Sequence, residues 1–333
     1  MPTDSPASPD LPASPGPLAD LRVVEMAQLI AGPFCGQLLG DFGAEVIKLE
    51  PPGAGDPMRQ WGREKPHGRS LWWPIIARNK KSATCDLRTA EGQDLARRLI
   101  DRAGIVVENL RPGTLERWGL GFDRLRETNP GLVMVRVTGF GQTGPYAPRA
   151  GYGSIGEAMV GLRHVTGDPG GPPSRTEDGE MVLIAANQDT VFRRLAAAME
   201  RPDLAADDRY ATHAARGRNM AELDALISAW TARSGVEELL GRLHDGGVPA
   251  GRIYTARDMF ADPQFAAGEA IVRLVHPELG ELPMQGVFPR LGETPGSVRR
   301  LGPALGEHNA EVYGDLLGIG EEERAALAER GVI

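Results

Sequence analysis

The sequence has little cysteine and no long apolar segment. Its 333 residues contain two cysteines, Cys35 and Cys85, too few for a disulfide framework. No run of eighteen apolar residues occurs, so the sequence predicts no membrane-spanning helix and no membrane partner. We therefore expect a cytoplasmic protein in which both cysteines are small buried hydrophobes rather than nucleophiles.

The sequence also has no net positive charge and lacks several familiar site motifs. The formal net charge is -8, which argues against a nucleic-acid partner. Neither a GxSxG nucleophile elbow nor a GxxxxGK[ST] phosphate loop is present. The six histidines are scattered without metal-ligand spacing, so no metal site is expected.

The most informative segment runs from Arg22 to Glu50. Arg22–Met26 is an apolar run typical of a buried parallel strand, and Pro33 suits the first turn of a helix. Gly43 is placed to end that helix, and Ala44–Leu49 predicts a second buried strand. Helical spacing predicts that one apolar face of the helix packs on the sheet: Phe34, Leu38, Leu39 and Phe42.

This strand–helix–strand unit is a nucleotide-binding layout, because strand ends and helix N-termini form the ligand crevice of α/β sheets. The first turn, AQLIAGP, lacks the glycines of a dinucleotide site, so a different nucleotide is expected. Gly151–Gly156 matches GxGxxG literally, but it does not directly follow a strand. A turn that enters a helix is the better interpretation of that match.

Strands and helices continue to alternate along the first half of the chain. Ser82–Leu87, Ile105–Glu108 and Leu132–Val137 predict further strands, with a helix Ala90–Ala103 between the first two. This order indicates an α/β fold with a parallel, Rossmann-like sheet in a large domain. A smaller α+β domain follows, and residues 1–18 have the composition of a disordered tail.

Basic residues are candidates for holding nucleotide phosphates, since several follow predicted strand ends. A solvated surface is the competing interpretation for each of them. Position in a strand-end loop favours a binding role for Arg88, Arg111 and Arg117. The full set is Lys48, Arg78, Lys80, Lys81, Arg88, Arg111 and Arg117.

Several short motifs follow one another in a fixed order along the chain. They are Ala31-Gly-Pro, Gly43-Ala-Glu-Val-Ile-Lys-Leu-Glu50, Asn79-Lys-Lys-Ser82, Asp86-Leu87, Val107-Glu-Asn-Leu-Arg-Pro-Gly113, Gly139-Phe-Gly-Gln-Thr-Gly-Pro145, Gly151-Tyr152, Gly247-Val-Pro-Ala-Gly251, Asp262-Pro263 and Leu301-Gly-Pro-Ala-Leu-Gly-Glu-His308. In this order they resemble the family III CoA-transferases, which also include α-methylacyl-CoA racemases. The resemblance covers the chain from about Leu21 to its end.

The resemblance implies that coenzyme A, carried as an acyl-CoA, binds the large domain, and that a small carboxylic acid is the second substrate. It implies an interlocked homodimer and transfer through an aspartyl-CoA thioester. It divides the chain into a large domain at 19–175, a small domain at 176–295 and a C-terminal return at 296–333. The CoA contacts it implies are Ile30, Ala31, Cys85, Asp86, Leu87, Arg88, Asn109, Leu110, Arg111, Arg117, Ala150, Gly151, Tyr152 and Gly153.

One departure from the family pattern concerns the catalytic residue. The family continues after the counterpart of Arg175 into a Gly-Asp-Ser segment that carries the nucleophilic aspartate. Here the chain runs directly from Thr176 into EDGEMVLIA, which resembles the start of the small domain. Asp178 lies near the junction in a setting typical of a turn. Several dozen residues are therefore missing by this comparison, and no catalytic residue is assigned.

Three functions remain open at this point. The first is CoA transfer, impaired by the missing nucleophile, with succinate, malate or citramalate as the dicarboxylate class. The second is an acyl-CoA racemase or epimerase, which needs a His/Asp acid–base pair around the substrate α-carbon. The third is a non-catalytic CoA-binding paralogue.

Overall fold

A computed structural model describes residues 16–143, 145, 147, 182–186, 188–252, 255–267, 269–289, 291 and 293–333. The described residues fall into two compact units. The first unit contains the described residues up to 166 and those from 266 to 333. The second unit contains the described residues between 167 and 265. The second unit is shorter than the small domain expected at 176–295, because residues 266–295 belong to the first unit.

A five-stranded parallel sheet forms the centre of the first unit. Its strand order, β3-β2-β1-β4-β5, confirms the predicted Rossmann-like α/β fold. β1 pairs with β2 on one side and β4 on the other, so Val23 lies between Val46 and Ile105. The strands are β1 Arg22–Glu25, β2 Glu45–Glu50, β3 Lys80–Thr84, β4 Ile105–Glu108 and β5 Val133–Arg136.

The helices of the same unit follow the strands, as the alternation predicts. Thr89 caps the third helix, since its Oγ1 accepts a hydrogen bond from Gly92 N at 3.0 Å. Short 3₁₀ turns occupy Pro57–Gln60 and Pro66–Gly68. The helices are α1 Ala31–Asp41, α2 Trp73–Ile76, α3 Ala90–Ile100, α4 Thr114–Arg117 and α5 Phe122–Arg126.

β3 differs from its predicted bounds of Ser82–Leu87. It starts at Lys80 and ends at Thr84, and the next residues turn away. Asp86 Oδ1 accepts a hydrogen bond from Arg88 N at 3.0 Å, the local pattern by which aspartate stabilises a turn. The residues from Cys85 to Arg88 therefore form a strand-end loop rather than strand.

The C-terminal segment covers the outer edge of β3. His308 N donates to Ser82 O at 3.0 Å, and Tyr313 Oη donates to Thr84 O at 2.7 Å. This segment prevents the edge strand from pairing with another chain. The part of the first unit that follows residue 265 contains the antiparallel hairpin β8 Ile271–His276 and β9 Gly280–Gln285, a π-helical turn Ala310–Leu316 and a final helix, α13 Glu321–Glu329.

The second unit has its own hydrophobic core, built around Phe192, Leu195, Trp230 and Leu243. Two short antiparallel strands, β6 Val182–Ile184 and β7 Ala250–Arg252, pair within it. Its helices are α6 Asp189–Ala198, α7 Asp203–Ala206, α8 His213–Arg218, α9 Met220–Thr231, α10 Val236–Asp245 and α11 Ala256–Ala261, and α12 Pro263–Ala267 spans the boundary between the units.

The buried face of α1 is only partly the one predicted. Phe34, Leu38, Leu39 and Phe42 are half-buried, and of these Leu39 packs against sheet residues such as Val23 and Val46. The side that faces the sheet also carries a glycine stripe, with Gly32, Gly36 and Gly40 all buried. A Cβ atom at Gly36 would lie 1.9 Å from Glu25 Oε2. The stripe lets the helix approach the sheet closely enough to cover charged side chains.

We expect Gly36→Ala to destabilise the first unit by about 1–3 kcal/mol, because the new methyl group displaces a carboxylate that lysines hold in place. Urea unfolding measured by circular dichroism gives the change in unfolding free energy. Gly131→Ala is the control, since nothing lies within 4 Å of its Cβ position. Equal stability of the two variants would contradict close packing at Gly36.

Candidate functional site

The carboxyl edge of the parallel sheet is the candidate site. After β1 the chain moves towards β2 on one side, and after β4 it moves towards β5 on the other. The loops that follow these two neighbouring strands therefore diverge and leave a crevice between them. Open α/β sheets bind their ligands at such topological switch points.

The turn after β1 is fastened to the loop after β4 by one side chain. Asn109 Oδ1 accepts a hydrogen bond from Gln28 N at 2.8 Å, and Asn109 Nδ2 donates to Gln28 O at 2.7 Å. Both amide atoms are thus occupied by backbone. Gly32 allows this approach, because a Cβ there would lie 2.3 Å from Ala27 Cβ and 3.4 Å from Asn109 Cβ.

Leu29, in the same turn, has a φ of 64°, which L-residues with side chains seldom adopt. Such a conformation costs on the order of 1–3 kcal/mol and persists only where the surroundings enforce it. Leu29 N donates to Asp56 Oδ1 at 3.2 Å, so a carboxylate holds the strained residue.

Buried charges lie directly beneath this turn, on the sheet face covered by α1. The register places Glu25 opposite Lys48, and Lys48 Nζ lies 2.9 Å from Glu25 Oε1 and 2.8 Å from Asp56 Oδ2. Lys80 Nζ lies 2.8 Å from Glu25 Oε2, at ion-pair distance but without hydrogen-bond geometry. All four side chains are at most 1% exposed. Two lysines and two carboxylates leave the group neutral.

The two lysines respond differently to burial. Burial acts to lower the pKa of Lys48, but the carboxylates of Glu25 and Asp56 outweigh it and raise that pKa above its usual value. Burial lowers the pKa of Lys80 to about 8, although neighbouring Glu25 acts in the opposite direction. Both amines face protein groups and are shielded from any ligand.

A second buried ion pair extends the group along β2. Glu50 is paired with Arg59, with Nη2 to Oε1 and Nε to Oε2 both at 2.8 Å. Glu50 Oε2 also accepts from Asp56 N at 2.9 Å, and Ser82 Oγ donates to Oε1 at 2.6 Å. Burial acts to raise the pKa of Glu50, but Arg59 lowers it below its usual range. Glu50 thereby fixes the backbone of Asp56.

Four of the seven predicted phosphate-binding residues are engaged in ion pairs within the protein. Lys48, Arg78 and Lys80 are completely buried in ion pairs, so a phosphate role for them is wrong. Lys81 pairs with Glu45 and Glu311 on the covered edge of the sheet. Sequence spacing could not distinguish a cation buried within the sheet from one beyond its edge.

The three arginines that the sequence favoured are all exposed. Arg88 is 79% exposed and turns back on Asp86, with Nε to Oδ1 at 2.8 Å, which holds the pKa of Asp86 below its usual value. Arg117 Nη2 donates to Thr114 Oγ1 at 3.1 Å, and Arg111 is exposed at the end of β4. Each follows a strand at the carboxyl edge.

The apolar members of the predicted set have different positions. Ile30 is 46% exposed, and Ala31 is exposed at the first turn of α1. Leu87 and Leu110 are half-buried against the main core, and Cys85 is 2% exposed within it. Burial raises the pKa of the Cys85 thiol to about 12. The predicted contacts Ala150, Gly151, Tyr152 and Gly153, and Asp178, lie outside the described residues.

Asp56 is the residue that sequence reasoning missed. It lies in a Gly/Pro-rich stretch that predicts only a surface loop, yet its side chain is 1% exposed. Its environment depends on Lys48 and Glu50, which come from a strand, so no local pattern marks it. Among the described residues, no His, Cys, Asp and Glu side chains cluster to hold a metal, and no helix is long and apolar enough to cross a membrane.

The fold and the crevice define an α/β protein of the nucleotide-binding type. The model for CoA-transferase family III matches residues 18–177 and 175–309, and the chain belongs to that family. It is 47% identical to succinyl-CoA–D-citramalate CoA-transferase of Chloroflexus aurantiacus, over 96% of this chain and 98% of that protein. It is 32% identical to succinate–glutarate CoA-transferase of Agrobacterium fabrum, over 92% and 97%. The chain is thus an enzyme of the family III CoA-transferase type.

Solved structures agree with this assignment. A CAIB/BAIF family protein from Brucella suis superimposes with a TM-score of 0.74 at 30% identity, covering 91% of this chain and all of that one. An aspartate-to-alanine mutant of Rv3272 from Mycobacterium tuberculosis gives a TM-score of 0.79 at 28% identity, covering 89% and 98%.

The comparisons also bear on the length of this chain. The alignment with the citramalate enzyme runs over 396 positions, whereas this chain has 333 residues, so at least 63 positions (396 less 333) have no counterpart here. The two stretches of the family match meet at residues 175–177. The relative therefore contains residues that this chain lacks, and the family match is interrupted at the junction noted in the sequence.

We expect Cys85 to be inert towards thiol reagents in the folded protein, because its pKa of about 12 leaves almost no thiolate at pH 8. Iodoacetamide labelling followed by peptide mass spectrometry measures this. Half-buried Cys35 is the internal comparison and should react first. Labelling of Cys85 without urea, at a rate comparable to that of Cys35, would contradict its burial.

Proposed function

We propose that the chain binds coenzyme A along the carboxyl edge of its parallel sheet. Ile30 and Ala31 would contact it at the first turn of α1, where free backbone N–H groups and the helix dipole favour an anion. Exposed Arg88, Arg111 and Arg117 would hold its phosphates. The remaining contacts in the proposal are Cys85, Asp86, Leu87, Asn109, Leu110, Ala150, Gly151, Tyr152 and Gly153.

The proposed reaction is transfer of CoA from succinyl-CoA to a dicarboxylic acid. The names of the relatives support this choice, because the citramalate and glutarate enzymes both pair succinate with another dicarboxylate. Citramalate is the acceptor we favour, since the enzyme named for it is 47% identical to this chain.

The proposed mechanism proceeds through an enzyme aspartate. The carboxylate attacks the thioester carbonyl and releases CoA thiolate, leaving a mixed anhydride. The thiolate then attacks the aspartyl carbonyl, releases the first acid and forms an aspartyl-CoA thioester. The second acid reverses these steps and leaves with the CoA. Covalent catalysis of this kind divides one difficult transfer into easier steps.

We further propose that this chain is impaired in that reaction although it retains the CoA crevice. The observation that carries this proposal is the interrupted family match at residues 175–177, with at least 63 alignment positions of the relative unmatched (396 less 333). The family resemblance assigns the nucleophilic aspartate to that stretch.

We also propose an interlocked homodimer and a cytoplasmic location, the latter supported by two free cysteines.

Two alternatives to CoA transfer predict different experimental results. An acyl-CoA racemase would exchange the substrate α-proton with solvent, whereas a transferase would not, so incubation in deuterated buffer separates the two. The transferase names of the reported relatives favour transfer. A non-catalytic CoA-binding protein would bind CoA without either reaction, and the interrupted match favours this second alternative.

We expect the chain to bind CoA in calorimetry but to transfer CoA from succinyl-CoA to citramalate at a rate close to background. Removal of a covalent nucleophile lowers kcat by several orders of magnitude, on the order of 10⁶. Insertion of the unmatched segment of the citramalate enzyme at residues 175–177 should restore transfer. The readout is acyl-CoA formation by mass spectrometry.

Hydroxylamine trapping tests the same proposal directly. Treatment of protein incubated with succinyl-CoA converts an aspartyl thioester to a hydroxamate, which peptide mass spectrometry locates. The restored chain should carry the modification in the inserted segment. A modified aspartate close to the junction in the present chain, either Asp178 or the preceding Asp168, would refute the proposed impairment.

We expect Arg117→Ala to raise the Kd for CoA roughly tenfold or more, because a hydrogen bond to a charged group contributes about 1.5–3 kcal/mol. The measurement is calorimetry at low and high salt, and the loss should shrink as salt screens the phosphate contact. Arg124→Ala is the matched control, since Arg124 is 67% exposed and lies on α5, which contributes no residue to the proposed CoA contacts. An equal effect of both changes would contradict the assignment.

A further inference from the structure

We propose that Asp56 is a positioning residue that holds the turn Gln28–Ala31 in the shape that receives CoA. The proposal rests on the proposed function, because that function places CoA at this turn. Asp56 would not touch the ligand. It would act through the backbone of Leu29, the residue immediately before the proposed contacts Ile30 and Ala31.

The contacts of Asp56 account for this role. Its Oδ1 accepts hydrogen bonds from Leu29 N at 3.2 Å and from Met58 N at 2.8 Å. Its Oδ2 lies 2.8 Å from Lys48 Nζ. One carboxylate therefore connects the turn after β1, the loop after β2 and the buried charge group.

Lys48 holds the chain at Ala27, the residue immediately before the same turn. Its Nζ donates to Ala27 O at 2.7 Å while pairing with Glu25 and Asp56. Leu29 is also anchored by its side chain, which packs against a buried cluster that contains Met58 and Trp73. Leu29 is thus fixed at its N–H and at its side chain, and the chain is also held at the carbonyl of Ala27, two residues earlier.

Asn109 restrains the turn from the opposite side. Its amide bonds both Gln28 N and Gln28 O, at 2.8 and 2.7 Å. The turn therefore lies between a clamp from the loop after β4 and one from the loop after β2. A turn restrained on both sides is already ordered before ligand binds, so binding loses less conformational entropy.

The matched control for Asp56 is Asp41. Both carboxylates are 1% exposed, and each pairs with a buried cation, Lys48 in one case and Arg78 in the other. Asp41 contacts Arg78 and Asn79, away from the turn. Replacing either carboxylate by alanine leaves an uncompensated buried charge, so both variants should lose stability.

The experiment compares Asp56→Ala, Asp56→Asn and Asp41→Ala in the full chain by calorimetry with CoA, below the unfolding temperature of each variant. Asp56→Ala should raise the Kd at least tenfold, and Asp41→Ala should change it less than threefold. Asp56→Asn retains an oxygen that can accept from Leu29 N, although it loses the ion pair with Lys48, so it should weaken binding less than Asp56→Ala. Equal weakening by Asp56→Asn and Asp56→Ala, or by Asp41→Ala and Asp56→Ala, would overturn the proposal.

Hydrogen exchange of the Leu29 amide separates this inference from the proposed function, because it needs no ligand. The amide should exchange at least tenfold faster in Asp56→Ala than in Asp41→Ala. If the unchanged protein fails to bind CoA, the proposed function is wrong, and the exchange result still decides whether Asp56 holds the turn. Unchanged exchange at Leu29 in Asp56→Ala would refute the positioning role.

Discussion

The crevice depends on the contacts made by the buried ammonium group of Lys48. It lies within 3 Å of two carboxylate oxygens and one backbone carbonyl, from Glu25, Asp56 and Ala27. A buried ion pair gains little net stability over apolar packing, but loss of one partner costs about 3–5 kcal/mol. The main effect of the buried charges is therefore to select one strand register. A one-residue slip between β1 and β2 would bury unpaired charges, so the charges specify how these two strands pair.

The glycine stripe on α1 and the buried charges require each other. The charges can be shielded from water only if the helix lies close to the sheet, and Gly36 leaves room for the Glu25 carboxylate beneath it. A helix with a conventional leucine face would sit farther away and admit water to the charges. Phe34, Leu38, Leu39 and Phe42 are consequently only half-buried, although Leu39 still packs against the sheet residues Val23 and Val46.

The sequence predicted the order of strands and helices because burial of apolar strands leaves a local pattern. Ile105–Glu108 was predicted with its observed bounds, and β1, β2 and β5 to within a residue. The buried face of α1 was predicted only in part, because its glycine stripe carries no hydrophobic signal. Asp56 was missed for a related reason: a carboxylate in a polar loop looks solvated until a distant strand supplies its partners. Long-range charge pairing is a property of register, which local patterns do not encode.

Binding and chemistry depend on different parts of this chain. The groups described above as shaping the turn come from residues 25–109, all within the first unit, whereas the family match is interrupted at residues 175–177. A change at that junction can therefore remove a nucleophile while the crevice keeps its form. The hydrogen bonds of Asp56 and Asn109 order the turn through described residues of the first unit alone, so their restraint does not depend on ligand. Under the proposed function, this chain would therefore keep its affinity for CoA while its capacity to transfer CoA is impaired.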